Sequence, residues 1–135
     1  MAPSKALVVK KMTVCADRIV VEVVCSPEHL FTTPSMAQRA CELRPNLSRH
    51  SCVNGKGPTF GTVMDRTPLP HLFEHLVVDH IVERSGAPDD IFVGTSEWVD
   101  RDRGEARVEV SFADDLEALG AIKDAAELIN VIACG

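Results

Sequence analysis

The chain has 135 residues, 45% hydrophobic and 25% charged, with a formal net charge of −6. That length and composition predict one globular domain, residues 1–135, able to bury a core without covalent staples. The acidic balance, with five Phe, one Trp and no Tyr, offers no obviously basic face and no stacking platform, so nucleic acid and anionic membranes are not expected partners.

Residues 6–14 (ALVVKKMTV) and 18–25 (RIVVEVVC) are rich in β-branched residues. Only Cys15-Ala16-Asp17 separates them, which predicts a hairpin of two strands. Pro27 and Pro34 break the chain that follows, and His29 between them reads as exposed. A helix is expected over 34–44, capped by Ser35 or started by Pro34 and stopped by Pro45. Residues 45–66 carry Gly55, Gly57, Pro58 and Gly61 and read as a long loop, with a short strand near 59–64. Thr67 before Pro68 marks the start of a second helix over about 69–84, ending at Gly86.

Two strands are expected next, 91–98 (IFVGTSEW) and 105–112 (EARVEVSF), joined by the turn VDRDRG. Val108, Val110 and Phe112 alternate with polar residues, the mark of a half-buried strand. A last helix begins at Asp114–Asp115 and runs to about Val131, with Leu116, Leu119, Ile122, Ala126 and Ile129 as its apolar stripe. The order β-β-α-loop-α-β-β-α predicts an α+β fold: an antiparallel or mixed sheet of about four to five strands packed against about three helices.

Cys15, Cys25, Cys41, Cys52 and Cys134 are odd in number and irregular in spacing, with no Cys-x-x-Cys. This suggests a reducing cytoplasm rather than a disulfide framework. Lys10 and Lys11 interrupt the N-terminal apolar run, so no signal peptide is expected, and no apolar run approaches a membrane span.

The densest chemistry lies in 71-HLFEH-75. On a helix, His71 and His75 project from one face a turn apart, and Glu74 lies near the same face. Two imidazoles so placed can grip one metal ion, and the carboxylate can handle a water proton. His-x-x-Glu-His inverts the order of the His-Glu-x-x-His zinc-hydrolase motif and keeps its parts. The plain alternative is a core helix whose polar residues are satisfied by hydrogen bonds. Leu72, Phe73, Leu76, Val77, Val78, Ile81 and Val82 make the helix apolar nearly all round, so its polar residues need partners either way. A third metal ligand could come from His50 or Cys52 in the preceding loop; an exposed histidine and a small buried cysteine are their ordinary roles. Asp79 is a candidate partner for His75, or a solvated carboxylate. His80 points the opposite way from His71 and is not expected to be a ligand, and Glu83 reads as a surface charge.

Leu47-x-x-His50-x-Cys52, then Phe60, then Thr67-x-x-x-His71-x-x-Glu74-His75 resembles the N-terminal domain of cyanophycin synthetases. Gly94-Thr95, the strand 106–112 and the alanine-rich helix 116–129 fit its later part, so the likeness spans roughly residues 43–130. In that family the domain precedes an ATP-grasp ligase and a Mur-ligase-like module, and some members are thought to cut the polymer hydrolytically. The resemblance implies zinc held by His71, His75 and His50, with Glu74 as general base, acting on a peptide-like or small-molecule substrate. No ATP-grasp or Mur-like segment is present, so the expectation is a stand-alone relative and not a synthetase. Pro68 and Pro70 depart from the pattern just before the motif. The competing expectation is a non-catalytic binding or interaction domain in which this helix is structural.

Overall fold

The computed structural model describes residues 5–49, 59–85 and 94–134. Two β-branched runs form the first hairpin: β1 (Leu7–Val14) and β2 (Arg18–Cys25) pair antiparallel, with a bulge between Val9 and Lys11. Two later strands, β3 (Gly94–Asp100) and β4 (Glu105–Ser111), form the second hairpin. β4 lies antiparallel against β2, so the sheet has four strands in the order β1-β2-β4-β3. The fold is α+β, as expected, and the sheet is wholly antiparallel among the described residues.

Alternation decides which face is covered. Ile19, Val21, Val23 and Cys25 of β2 and Ala106, Val108 and Val110 of β4 are buried. The opposite face carries cross-strand ion pairs, Arg18 to Glu109 at 2.7 Å and Arg107 to Glu97 at 3.1 Å. The helices therefore pack on one side only. They are α1 (Pro34–Leu43), α2 (Leu69–Ser85) and α3 (Asp115–Cys134). α2 lies against β3, β4 and α3, while α3 also reaches β1 and α1. No helix among the described residues is long and apolar enough to cross a membrane.

Local chemistry sets the element ends. Thr33, rather than Ser35, caps α1, its hydroxyl accepting the Met36 N–H at 3.2 Å; Ser35 instead accepts from Arg39. Asp114 caps α3 through the amides of Leu116 and Glu117. The β3–β4 turn closes on Gly104, whose φ of 73° is left-handed. A Cβ there would also stand 2.1 Å from the Cys25 carbonyl oxygen, so the turn demands glycine twice over.

Three expectations are corrected. No strand forms near 59–64: Phe60–Thr62 is a 3-10 turn, closed by the amides of Val63 and Met64 on the Phe60 carbonyl, with Phe60 fully buried. His29 is half-buried, with Nδ1 at 2.8 Å from the Ser26 hydroxyl. Leu116 is 74% exposed, because the buried stripe of α3 runs through Ala118, Ala121, Ile122, Ala125, Ile129 and Ile132.

Candidate metal centre

α2 is the most deeply buried helix of the fold. Every residue from Leu69 to Ile81 is buried except the half-buried Val78, and five of these residues are polar: His71, Glu74, His75, Asp79 and His80. Burying such groups unpartnered costs on the order of 1–3 kcal/mol each, so the packing around α2 is shaped by their needs.

The start of the helix is pinned first. Phe31 and Pro68 form an isolated bridge, with the Thr32 amide on the Thr67 carbonyl at 2.8 Å and the Leu69 amide on the Leu30 carbonyl at 2.9 Å. The Thr32 hydroxyl donates to the Met64 carbonyl and accepts the Thr67 amide, both at 2.9 Å. This holds Thr67 one turn before His71, and its hydroxyl lies 2.8 Å from His71 Nδ1.

The two imidazoles then converge. His71 Nε2 and His75 Nε2 stand 3.1 Å apart, close to the separation of about 3.3 Å that two nitrogens take on one tetrahedral zinc ion. Phe60 stacks on the His75 ring at 4.0 Å and 16°, and meets His71 edge-on at 5.0 Å. Glu74 Oε2 lies 3.9 Å from His75 Nε2. Ligand atoms of His71, Glu74 and His75 all fall within 4.8 Å of one another, so these three side chains can hold a metal ion. Without one, a hydrogen bond between the two Nε2 atoms is their shared partner.

Electrostatics favours the same use. Burial pushes His71 below its ordinary value, so its ring is neutral near pH 7 with a lone pair to offer. Burial pushes the Glu74 carboxyl up to about 7, against the opposing effect of a hydrogen bond from Ser96. β3 gives Glu74 its room: a Cβ on Gly94 would stand 2.7 Å from Glu74 Cγ and 2.9 Å from Oε2. Beside Ser96, a cavity of about 80 Å³ is lined by Pro68, Pro70, Ser96, Glu97 and Trp98, and Trp98 meets Phe31 edge-on.

His71, Glu74 and His75 are thus brought together. His50 and Cys52, the candidates for a further ligand, lie outside the described residues, as does Gly86. Asp79 accepts Arg44 Nε at 2.6 Å, and Arg44 also reaches Glu83 at 3.0 Å. His80 is buried on the far side of the helix, and its Nε2 has no hydrogen-bond partner. Gly94 opens β3, and its tight contact with Glu74 was not foreseeable; nor was the Ser96 bond, since both depend on how β3 packs on α2. Thr67 stands four residues before His71 in the motif, but it lies ahead of α2, so its approach to the imidazole depends on the Phe31–Pro68 bridge.

Comparison of the chain with protein-family models, curated proteins and solved structures gives no significant match in any of the three. The likeness to the cyanophycin synthetase domain therefore rests on the motif residues, of which the His71-x-x-Glu74-His75 triad has the geometry of a metal-binding motif.

Gly94→Ala is expected to cost about 1–3 kcal/mol by overpacking, and the cost should vanish when Glu74 is also truncated to alanine. Urea unfolding of the four proteins in that cycle reads this directly, and an equal loss in both backgrounds would contradict the contact. A second expectation concerns pH. The folded chain holds the Glu74 proton more tightly than the unfolded chain, whose carboxyl titrates near the ordinary 4.5. In chelator-treated protein the stability from this position is full below about pH 4.5, falls as pH rises towards about 7, and stays low above it. Glu74→Gln cannot ionise, so it should gain on the wild type by on the order of 3 kcal/mol between about pH 4.5 and pH 8. Parallel pH profiles for the two proteins would contradict it.

Proposed function

We propose that this chain is a zinc-dependent hydrolase of amide bonds in a peptide or cyanophycin-like substrate. In this reading His71 and His75 are metal ligands, His50 is the third, and Glu74 is the general base. The observation that carries it is the convergence of two buried imidazole Nε2 atoms at 3.1 Å beside a buried carboxylate. Zinc with three protein ligands and an open position supplies polarisation of a carbonyl and acidification of water.

The remaining roles belong to the chain. Thr67 accepts the His71 Nδ1–H, which fixes the tautomer and leaves the Nε2 lone pair for the ion. Phe60 holds the His75 ring by stacking and shields that side from water. Glu74, balanced near neutrality, can take a proton from water and return it to the leaving nitrogen. Ser96 steadies that carboxylate. Pro68, Pro70 and Trp98 form an apolar wall next to Ser96 along which a substrate chain can lie. The free thiols Cys15, Cys25 and Cys41 suit a reducing cytoplasm.

One observation favours a second reading, a non-catalytic binding domain. The Thr67 hydroxyl beside His71 Nδ1 and the approach of the two Nε2 atoms give His71 a partner at each ring nitrogen, and His75 one at Nε2, without a metal ion. Glu74→Gln separates the two. Under the hydrolase reading the variant keeps its zinc and loses at least roughly a hundredfold of its amide-hydrolysing turnover, measured on a peptide library by mass spectrometry. Turnover that survives the substitution undiminished would remove Glu74 from the chemistry. Absence of turnover in the wild type, with zinc bound, would favour the binding domain.

A further inference from the structure

β1 is an open edge of the sheet, and along it runs a groove of about 550 Å³ between β1 and α3. Leu7, Val9, Met12, Ile122 and Ala126 contribute its apolar lining. Leu7, Val9, Met12 and Val14 are the register partners of the buried Cys25, Val23, Val21 and Ile19, so they point to the helix side of the sheet. Met12 and Val14 are nevertheless 45% and 47% exposed. The core-side face of β1 thus continues past the cover that α3 provides. The groove is the volume into which alternate side chains of a fifth strand would drop.

The edge also offers backbone. Asn130 on α3 accepts the Ala6 and Leu7 amides and donates to the Leu7 carbonyl. The groups of Leu7 therefore face outward, away from β2. Antiparallel alternation then turns those of Val9 outward, and beyond the bulge those of Met12 and Val14. Asn130 shows what this edge accepts, a side-chain amide imitating the backbone of a neighbouring strand.

Charge selects the occupant. The chain has five lysines, and four of them, Lys5, Lys10, Lys11 and Lys123, lie on β1, just before it or on the facing turn of α3. All four are exposed. Glu127 in the groove and Glu22 opposite Lys11 offset part of this charge. The edge is still a basic strip on a chain of net charge −6. Lysines and a bulge at an open edge deter indiscriminate strand pairing. That deterrence acts on basic and uncharged strands; an acidic one is attracted.

We propose that β1 is a docking edge for an extended, acidic segment of a partner protein, which adds as a fifth strand. Its apolar residues enter the groove over Ile122 and Ala126, and its alternating carboxylates lie beside Lys11 on the polar face. This is strand addition, with backbone hydrogen bonds giving affinity and alternate side chains giving choice. The docking edge is separated from the candidate metal centre by β2 and β4, so the two proposals stand independently.

The test uses a fluorescein-labelled peptide of alternating valine and glutamate, equal in length to β1, with its lysine-for-glutamate counterpart as control. Fluorescence anisotropy with the full chain should show saturable binding of the glutamate peptide, weakened by salt, and none of the lysine peptide. The double variant Lys11→Gln/Lys123→Gln should weaken binding roughly tenfold or more, with an unchanged unfolding midpoint showing that it folds. No saturable binding, equal binding of the lysine peptide, or undiminished binding by the double variant would each overturn the proposal. Sedimentation equilibrium adds one further outcome. A dimer of this chain that the double variant disrupts would assign the edge to a second copy, and so against an acidic partner.

Discussion

Desolvation of two imidazoles and one carboxylate on a single buried helix is the constraint around which the rest of the structure is arranged. α2 has apolar neighbours on nearly every side, so His71, Glu74 and His75 cannot turn to water. Each is met by something brought from elsewhere in the chain. Thr67, held by Thr32 and the Phe31–Pro68 bridge, meets His71; Phe60 lies flat on His75; Ser96 reaches Glu74 from β3. A buried polar group is costly when abandoned and informative when supported, and here the support reaches His71 through Nδ1, His75 through its ring face and Glu74 through its carboxylate.

The same constraint explains features that look unrelated. Gly94 opens β3 without a side chain because the Glu74 carboxylate occupies the space a Cβ would need. Phe60 sits in a tight 3-10 turn because its ring must enter the core at the height of His75. The carboxyl that burial raises to about 7 is matched to proton transfer at neutral pH. Perturbed titration inside a group of potential ligands is a recurrent mark of functional sites. Farther along α2, Arg44 meets Asp79, while His80 keeps one ring nitrogen without a partner.

Much of the frame could be read from residue order. β-branched alternation announces both hairpins, and Pro34, Pro45 and Pro68 punctuate the helices within a residue or two of where they lie. The His71-x-x-Glu74-His75 face follows from helical geometry alone. What could not be read is what depends on contacts across the fold. Ser96 and Gly94 matter only because β3 crosses Glu74. Phe60 turns rather than extends because tertiary burial overrides its β propensity. Leu116 fits the apolar period of α3 but lies in its first turn, beyond the reach of the sheet.

The geometry of the buried triad suits a metal ion held through two imidazoles. Zinc K-edge absorption spectroscopy on protein purified without added chelator tests it most directly, because the spectrum reports ligand type as well as occupancy. The expected result is about one zinc per chain, with two imidazole nitrogens at about 2.0–2.1 Å and most of the metal lost in His71→Ala. Protein that takes up no zinc, or zinc retained in full by His71→Ala with no imidazole signature, would contradict it.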